Sequence, residues 1–180
     1  ESWSVRVDIG EMPTLESFGF DGFETDQRIA LDFKGGETAA QERLQYYLWE
    51  SDCVKKYKET RNGLIGADYS SKLSVWLGQG CISPKQVYYE LKEYEKKRTK
   101  NKSTYWLFFE LLWRDFFRLM GKKHKTKIFC KGGTKGEIDP TWCEDADLFN
   151  LWKEGKTGVP FIDANMRELN LTGFMSNRGR

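Results

Sequence analysis

Residues 104–120 read TYWLFFELLWRDFFRLM, and the fold turns on how this stretch is read. Apolar side chains recur on nearly every side of a helical wheel, so the segment is predicted to be a central helix buried on most sides. Its few charges then become informative, because a buried charge without a partner is strongly unfavourable. Glu110, Trp113 and Arg114 stand at i, i+3 and i+4, which puts a carboxylate, an indole and a guanidinium on one face. That face is either an intrahelical Glu110/Arg114 pair beside a core tryptophan, or a polar floor under a flat ligand with Trp113 stacking and Glu110 accepting hydrogen bonds.

Toward the N-terminus, Ser83 followed by Pro84 is a helix start, a capping hydroxyl with proline at the first helical position. The helix runs through KQVYYELKEYEKK with Val87, Leu91 and Tyr94 inward, and the basic loop KKRTKNKS closes it. Further upstream, GADYSSKLS (66–74) gathers Ser70, Ser71 and Ser74 at a predicted helix start. Hydroxyls and free backbone N–H groups there suit a phosphate, or simply an N-cap with spare serines. Glu37 and Thr38 open another helix to about Ser51, with Ala40, Leu44, Tyr47 and Leu48 on its inner stripe. Residues 1–35, with the turn-rich FGFDGFETD, read as an irregular linker.

Toward the C-terminus, GKKHKTK (121–127) reads as a solvated loop, followed by helices around Ala146–Glu154 and Asp163–Asn170 with EGKTGVP between them. The last nine residues, TGFMSNRGR, look like a basic arm, but Phe174 and Met175 are too apolar for one. Asn177, Arg178 and Arg180 could instead belong to a folded site, an amide for a heteroaromatic edge and guanidiniums for phosphate or carboxylate. No internal repeat and no continuous set of strands is visible, so the predicted class is all-α.

Composition narrows the chemistry. The chain has 180 residues, 39% of them hydrophobic, enough for the core of one domain, and no run approaching a membrane span. A formal net charge of +2 does not by itself mark a nucleic-acid protein, so phosphate binding would have to come from charge placement. Four cysteines lie far apart without a CxxC pair, the pattern of a reduced intracellular protein with neither structural metal nor disulfide scaffold. The only histidine, His124, lies in the basic run, which argues against Ser/His/Asp and Cys/His catalysis. ESWSVRVDIGEMP at the start is neither signal peptide nor initiator, and the chain is expected to be an internal piece of a longer one, so the compartment (cytoplasm, organelle or nucleus) stays open.

Three segments in this order and spacing, YKETRNGLIGADYSSKLSVWLGQGCISP (57–84), STYWLFFELLWRDFFR (103–118) and WKEGKTGVPFIDANMRELNLTGFMSNRGR (152–180), resemble the photolyase and cryptochrome flavoproteins, within them the cryptochrome DASH branch. The resemblance implies that residues 36–180 are the N-terminal half of the α-helical FAD-binding domain. Residues 1–35 would be the linker from an α/β antenna domain, and that domain and the downstream half would be missing. It implies that Tyr57, Ser70, Ser71, Lys72, Leu73 and Ser74 hold the flavin's phosphates and ribityl region. Glu110 would hydrogen-bond a flipped pyrimidine dimer and Trp113 would stack on it. Arg114 would sit between cofactor and DNA, and Arg61, Phe117 and Arg178 would contact DNA. Asn177 would serve flavin, DNA and catalysis, and Arg180 the cofactor side, paired with a downstream aspartate. Trp142 would be the outer tryptophan of an electron-transfer chain. One departure concerns a flavin-packing tryptophan of many photolyases, replaced here by Leu107 with Trp106 adjacent.

The function so implied is blue-light repair of cyclobutane pyrimidine dimers, chiefly in single-stranded DNA, through electron transfer from reduced FAD. No metal or proton relay is involved. The whole protein would be a monomer with a folate antenna such as methenyltetrahydrofolate, and the 180 residues alone would be inactive. Alternatives are a signalling cryptochrome with little repair, or a nonenzymatic helical nucleic-acid-binding module. Repair of (6-4) products is disfavoured, since Ser176 stands where many photolyases carry histidine.

Overall fold

The structure is a computed structural model that describes residues 10–22, 25–136 and 143–180. Among the described residues it is helical throughout, with no strand. Among the described residues before α1 the chain is irregular apart from one 3-10 turn, Glu16–Phe18. Its end is not free, however. Leu31 and Phe33 pack against the core, Phe33 lies 5.5 Å from the Trp76 ring, and the Trp76 indole donates to the Lys34 carbonyl at 2.8 Å.

Helix α1 (Gly36–Gln45) passes into a π-helical turn, Tyr46–Glu50, and together they bury the predicted stripe of Ala40, Leu44, Tyr47 and Leu48. A 3-10 turn, Cys53–Lys56, leads into the single-turn α2 (Tyr57–Thr60). Helix α3 (Ser74–Gln79) begins later than the serine cluster suggested, and no side chain caps it. Ser70 and Ser71 therefore lie in the loop before it.

Helix α4 (Pro84–Lys97) starts as predicted, the Ser83 hydroxyl accepting from Gln86 N at 3.0 Å, and Val87, Leu91 and Tyr94 are fully buried. Helix α5 (Lys102–His124) opens on a reciprocal cap. The Asn101 side chain accepts from Ser103 N and Thr104 N, while Asn101 N donates to the Thr104 hydroxyl at 3.1 Å. It also runs through what the sequence suggested was a solvated loop. Gly121–His124 are its last turn, where Lys122, Lys123 and His124 complement the negative helix end, and Lys125–Phe129 continue as a 3-10 turn.

The expectation that α5 is buried on most sides is corrected. Only Ser103, Thr104, Leu107 and Leu111 are buried, while Leu112, Trp113, Phe116, Phe117 and Leu119 are exposed. The reason is one of coverage: α2, α4 and the 53–56 turn pack on α5, and no residue beyond Leu111 becomes buried. One core thus joins α1, α2, α3, α4 and the first half of α5, from Ala40 to Leu111.

Helices α6 (Ala146–Lys153) and α7 (Pro160–Thr172) pack on each other. The turn between them is organised by Asp163, whose carboxylate accepts from Thr157 N, the Thr157 hydroxyl and Gly158 N at 2.7–3.0 Å. Those bonds, the Thr157 hydroxyl first, hold its pKa below the ordinary carboxylate range. Helix α7 begins at Pro160, three residues before the predicted start, because proline fits the first helical position. No helix among the described residues is long and apolar enough to cross a membrane.

Candidate functional site

The site is built on the loop between α2 and α3, and a residue the sequence did not single out gives that loop its shape. Arg43, buried on α1, donates from Nε to the Ser71 carbonyl at 3.0 Å and from one terminal nitrogen to the Ala67 and Ser70 carbonyls at 2.8 and 3.2 Å. Its other terminal nitrogen bonds Asp68 at 3.2 Å, and the Tyr46 hydroxyl donates to the same carboxylate at 3.0 Å. A guanidinium can satisfy several carbonyls at once because its donors are fixed in a fork.

The next residue, Lys72, takes a left-handed backbone at φ 56°, unusual for a side chain of this size. It is buried, and its ammonium has no hydrogen-bond acceptor. The Nζ atom lies 3.4 Å from the Tyr69 ring centroid and 5.1 Å from that of Phe174. Burial, and after it the Arg43 charge, pushes this amine down to about 8.

Beside Lys72 opens a cavity of about 430 Å³. One wall is the loop itself, with Tyr69, Ser70, Ser71, Lys72 and Leu73, continued by Ser74, Leu77 and Gly78 of α3. Tyr57 and Arg61 come from the α2 side, and Leu107, Glu110, Leu111 and Arg114 from α5. Phe174, Asn177 and Arg180 come from the C-terminal turn, where Phe174 stacks on Phe33 at 5.7 Å. Burial, and then the nearby Glu110 charge, pushes the Tyr57 hydroxyl up to about 12.

The charges do not pair as an intrahelical reading of α5 would have it. Glu110 accepts from Arg61, while Arg114 reaches the Leu77 carbonyl at 3.4 Å and Asp115 at 3.5 Å. Arg61 also lies over the Trp106 ring at 5.2 Å. Nor is the floor fully buried, since Glu110 and Arg114 keep 36% and 38% side-chain exposure.

Of the residues singled out from sequence, Tyr57, Arg61, Ser70, Ser71, Lys72, Leu73, Ser74, Glu110, Arg114, Asn177 and Arg180 line one cavity. Trp113, Phe117 and Arg178 do not. Trp113 and Phe117 stack on each other at 5.5 Å on the open side of α5, and Arg178 is exposed. Trp142 lies outside the described residues. Sequence reasoning missed Phe33, Tyr69 and Arg43. Their only signal was an aromatic in a linker, a tyrosine beside the serines, and an arginine on an otherwise ordinary helix.

These groups suit a dinucleotide such as FAD. An ammonium lacking an acceptor, three serines, and the guanidiniums of Arg61, Arg114 and Arg180 can meet a diphosphate, and Leu77, Leu107 and Leu111 offer an apolar surface to a ring system. Residues 106–180 match the FAD binding domain of DNA photolyase. The chain is 53% identical to cryptochrome DASH of Gloeobacter violaceus over 174 residues, 97% of this chain and 35% of that protein. It is 59% identical to cryptochrome DASH of Synechocystis sp. over 155 residues, 86% of this chain and 32% of that one. A crystal structure of Synechocystis cryptochrome superimposes with a TM-score of 0.87 at 56% identity, over 93% of this chain and 34% of the other.

The chain belongs to the cryptochrome DASH family. It is a flavoprotein of the cryptochrome and photolyase type, and FAD is the cofactor of the matched domain. It spans about a third of the length of the cryptochrome DASH relatives it matches. In cryptochrome DASH terms, the loop shaped by Arg43 and the C-terminal turn face each other across the cavity.

Proposed function

We propose that the chain is part of a blue-light-dependent photolyase that splits cyclobutane pyrimidine dimers, chiefly in single-stranded DNA. The observation that carries this reading is that Glu110, on the cavity rim, and Trp113, exposed on the outside, sit one helical turn apart on α5. One short helix segment can thereby face a flavin on one side and a base on the other. FAD, when bound and reduced, supplies under blue light the electron that opens the dimer ring and takes it back afterwards.

The chain's own residues bind and orient. Lys72, Ser70, Ser71 and Ser74 hold the phosphates, with Leu73 and Tyr57 shaping the wall behind them. Glu110, held by Arg61, accepts hydrogen bonds from a pyrimidine edge, and the Trp113 indole stacks on the extruded lesion. Arg114 and Asn177 stand between the two ligands, and Arg180 faces the cofactor. Arg61, Phe117 and Arg178 meet the strand, whose phosphates make binding salt-dependent. A lesion already unpaired in a single strand is the least expensive to extrude. The whole protein is a monomer that carries a folate antenna on a separate domain.

Full-length protein should show flavin absorption and remove dimers from an irradiated oligonucleotide only under blue light. Trp113→Ala should weaken dimer binding by about 1–3 kcal/mol while leaving flavin content unchanged. Flavin photoreduction without dimer loss would replace repair by signalling, and absence of flavin would leave only a nucleic-acid-binding module.

A further inference from the structure

Helix α5 carries a row of rings that the proposed repair site uses only at one end. Tyr105, Phe109, Trp113 and Phe117 recur every four residues and so follow one side of the helix. The rings meet in sequence. Tyr105 stacks on Phe109 with centroids 6.1 Å apart and planes 23° apart, Phe109 meets Trp113 edge-on at 6.0 Å, and Trp113 stacks on Phe117 at 5.5 Å and 25°. Tyr105, Trp113 and Phe117 are 52%, 42% and 64% exposed, so the row opens to solvent over about 18 Å of helix.

Cations border it. Lys102 is exposed one turn before Tyr105, and Lys58 and Arg61 lie over the adjacent Trp106 ring, each at 5.2 Å. Two bonds hold the chain of Lys55–Lys58 along the start of α5: Asn101 donates to the Lys55 carbonyl at 2.9 Å, and Lys58 N donates to the Ser103 hydroxyl at 3.0 Å. The neighbouring carboxylates are engaged, Glu110 by Arg61 and Glu59 by the Ser103 hydroxyl at 2.8 Å.

We propose that this stripe is a stacking track for the undamaged bases of a single strand running away from the cavity, with Lys58 and Lys102 taking its phosphates. The proposal rests on the nucleic-acid reading above and extends it past the lesion pocket. Aromatic faces bind any base without reading its edges, and a basic border follows the backbone. About 18 Å accommodates roughly five bases at ~3.4 Å each. A purely apolar partner would bury Lys58 and Lys102 without counter-charge, whereas a polyanion satisfies both.

The test uses full-length, flavin-loaded protein with two probes: a labelled, undamaged twelve-nucleotide oligothymidylate, and a dimer-containing dinucleotide too short to reach Tyr105. Tyr105→Ala should lower oligothymidylate affinity about 5-fold to 50-fold and leave flavin absorbance and dinucleotide binding unchanged. Tyr105→Trp should restore it. Lys102→Ala should flatten the salt dependence by about one ionic contact. Parental oligothymidylate affinity and salt slope in Tyr105→Ala and Lys102→Ala would overturn the track, as would a change in sedimentation alone, which would assign the stripe to a protein partner. If the parent neither binds nor repairs the dinucleotide, the repair reading fails, and the dependence of oligothymidylate binding on Tyr105 still decides the track.

Discussion

Lys72 is the residue in which sequence, strain and function meet most directly. It holds a left-handed backbone, a buried ammonium and no acceptor, a combination unfavourable to the empty fold and useful only toward an anion. Below pH 8 it is charged in folded and unfolded chains alike. Between about 8 and its ordinary 10.5 the unfolded chain binds the extra proton, so stability should rise with pH across that window. Lys72→Met should abolish this rise and stabilise flavin-free protein at pH 7 by on the order of 1–3 kcal/mol, while weakening flavin retention. Urea unfolding at pH 7 and pH 10 with flavin absorbance checks both halves, and a variant less stable at pH 7 contradicts the account. Arg43 is the complementary case. Arg43→Lys keeps the charge but cannot reach three carbonyls, and should destabilise by about 2–4 kcal/mol with loss of flavin, read by the same two measurements.

At the scale of elements, the cavity depends on how α2, the loop and α5 are clasped. Gly63 faces Tyr69 so closely that an added Cβ would lie 2.7 Å from the Tyr69 Cβ. Gly63→Ala should therefore displace Tyr69 from the Lys72 ammonium and cost about 1–3 kcal/mol in thermal or urea unfolding, and a neutral substitution would show that the loop can yield. Asn101 both caps α5 and ties it to the Lys55 carbonyl, whereas Ser83 only caps α4. Asn101→Ala should exceed the roughly 1 kcal/mol expected for Ser83→Ala, a comparison that denaturant midpoints settle. The Ser83 cap was legible because serine followed by proline is local chemistry, whereas Asn101 was hidden in a run that read only as a basic loop. The π-helical turn after α1 and the persistence of α5 to His124 were not legible either, since each depends on packing or electrostatics beyond a local pattern.

Over the whole molecule, apolar surface is distributed unevenly. The core from Ala40 to Leu111 is closed, yet α6 buries none of its residues, and Leu148, Phe149, Trp152, Phe161 and Ile162 are exposed together with the second half of α5. Patches of that extent associate or bind apolar dyes. The 180-residue chain expressed alone should self-associate and retain FAD weakly. Sedimentation and flavin absorbance test this, and a monodisperse chain with stoichiometric flavin would contradict it.

The amino-acid sequence by itself determined the helical class, the cap at Ser83, the inner stripes of α1 and α4, and the motifs that mark the family. These are properties of spacing along one chain, set by helix geometry and local hydrogen bonding. Only the tertiary structure decided which charges meet. Glu110 turned from Arg114, four residues away, to Arg61, forty-nine residues away, and Arg43 reached twenty-four to twenty-eight residues ahead to shape the loop. It also decided that α5 is a wall with one face covered, because burial is a property of neighbours and no periodicity in a helix states which of its apolar faces another element will reach.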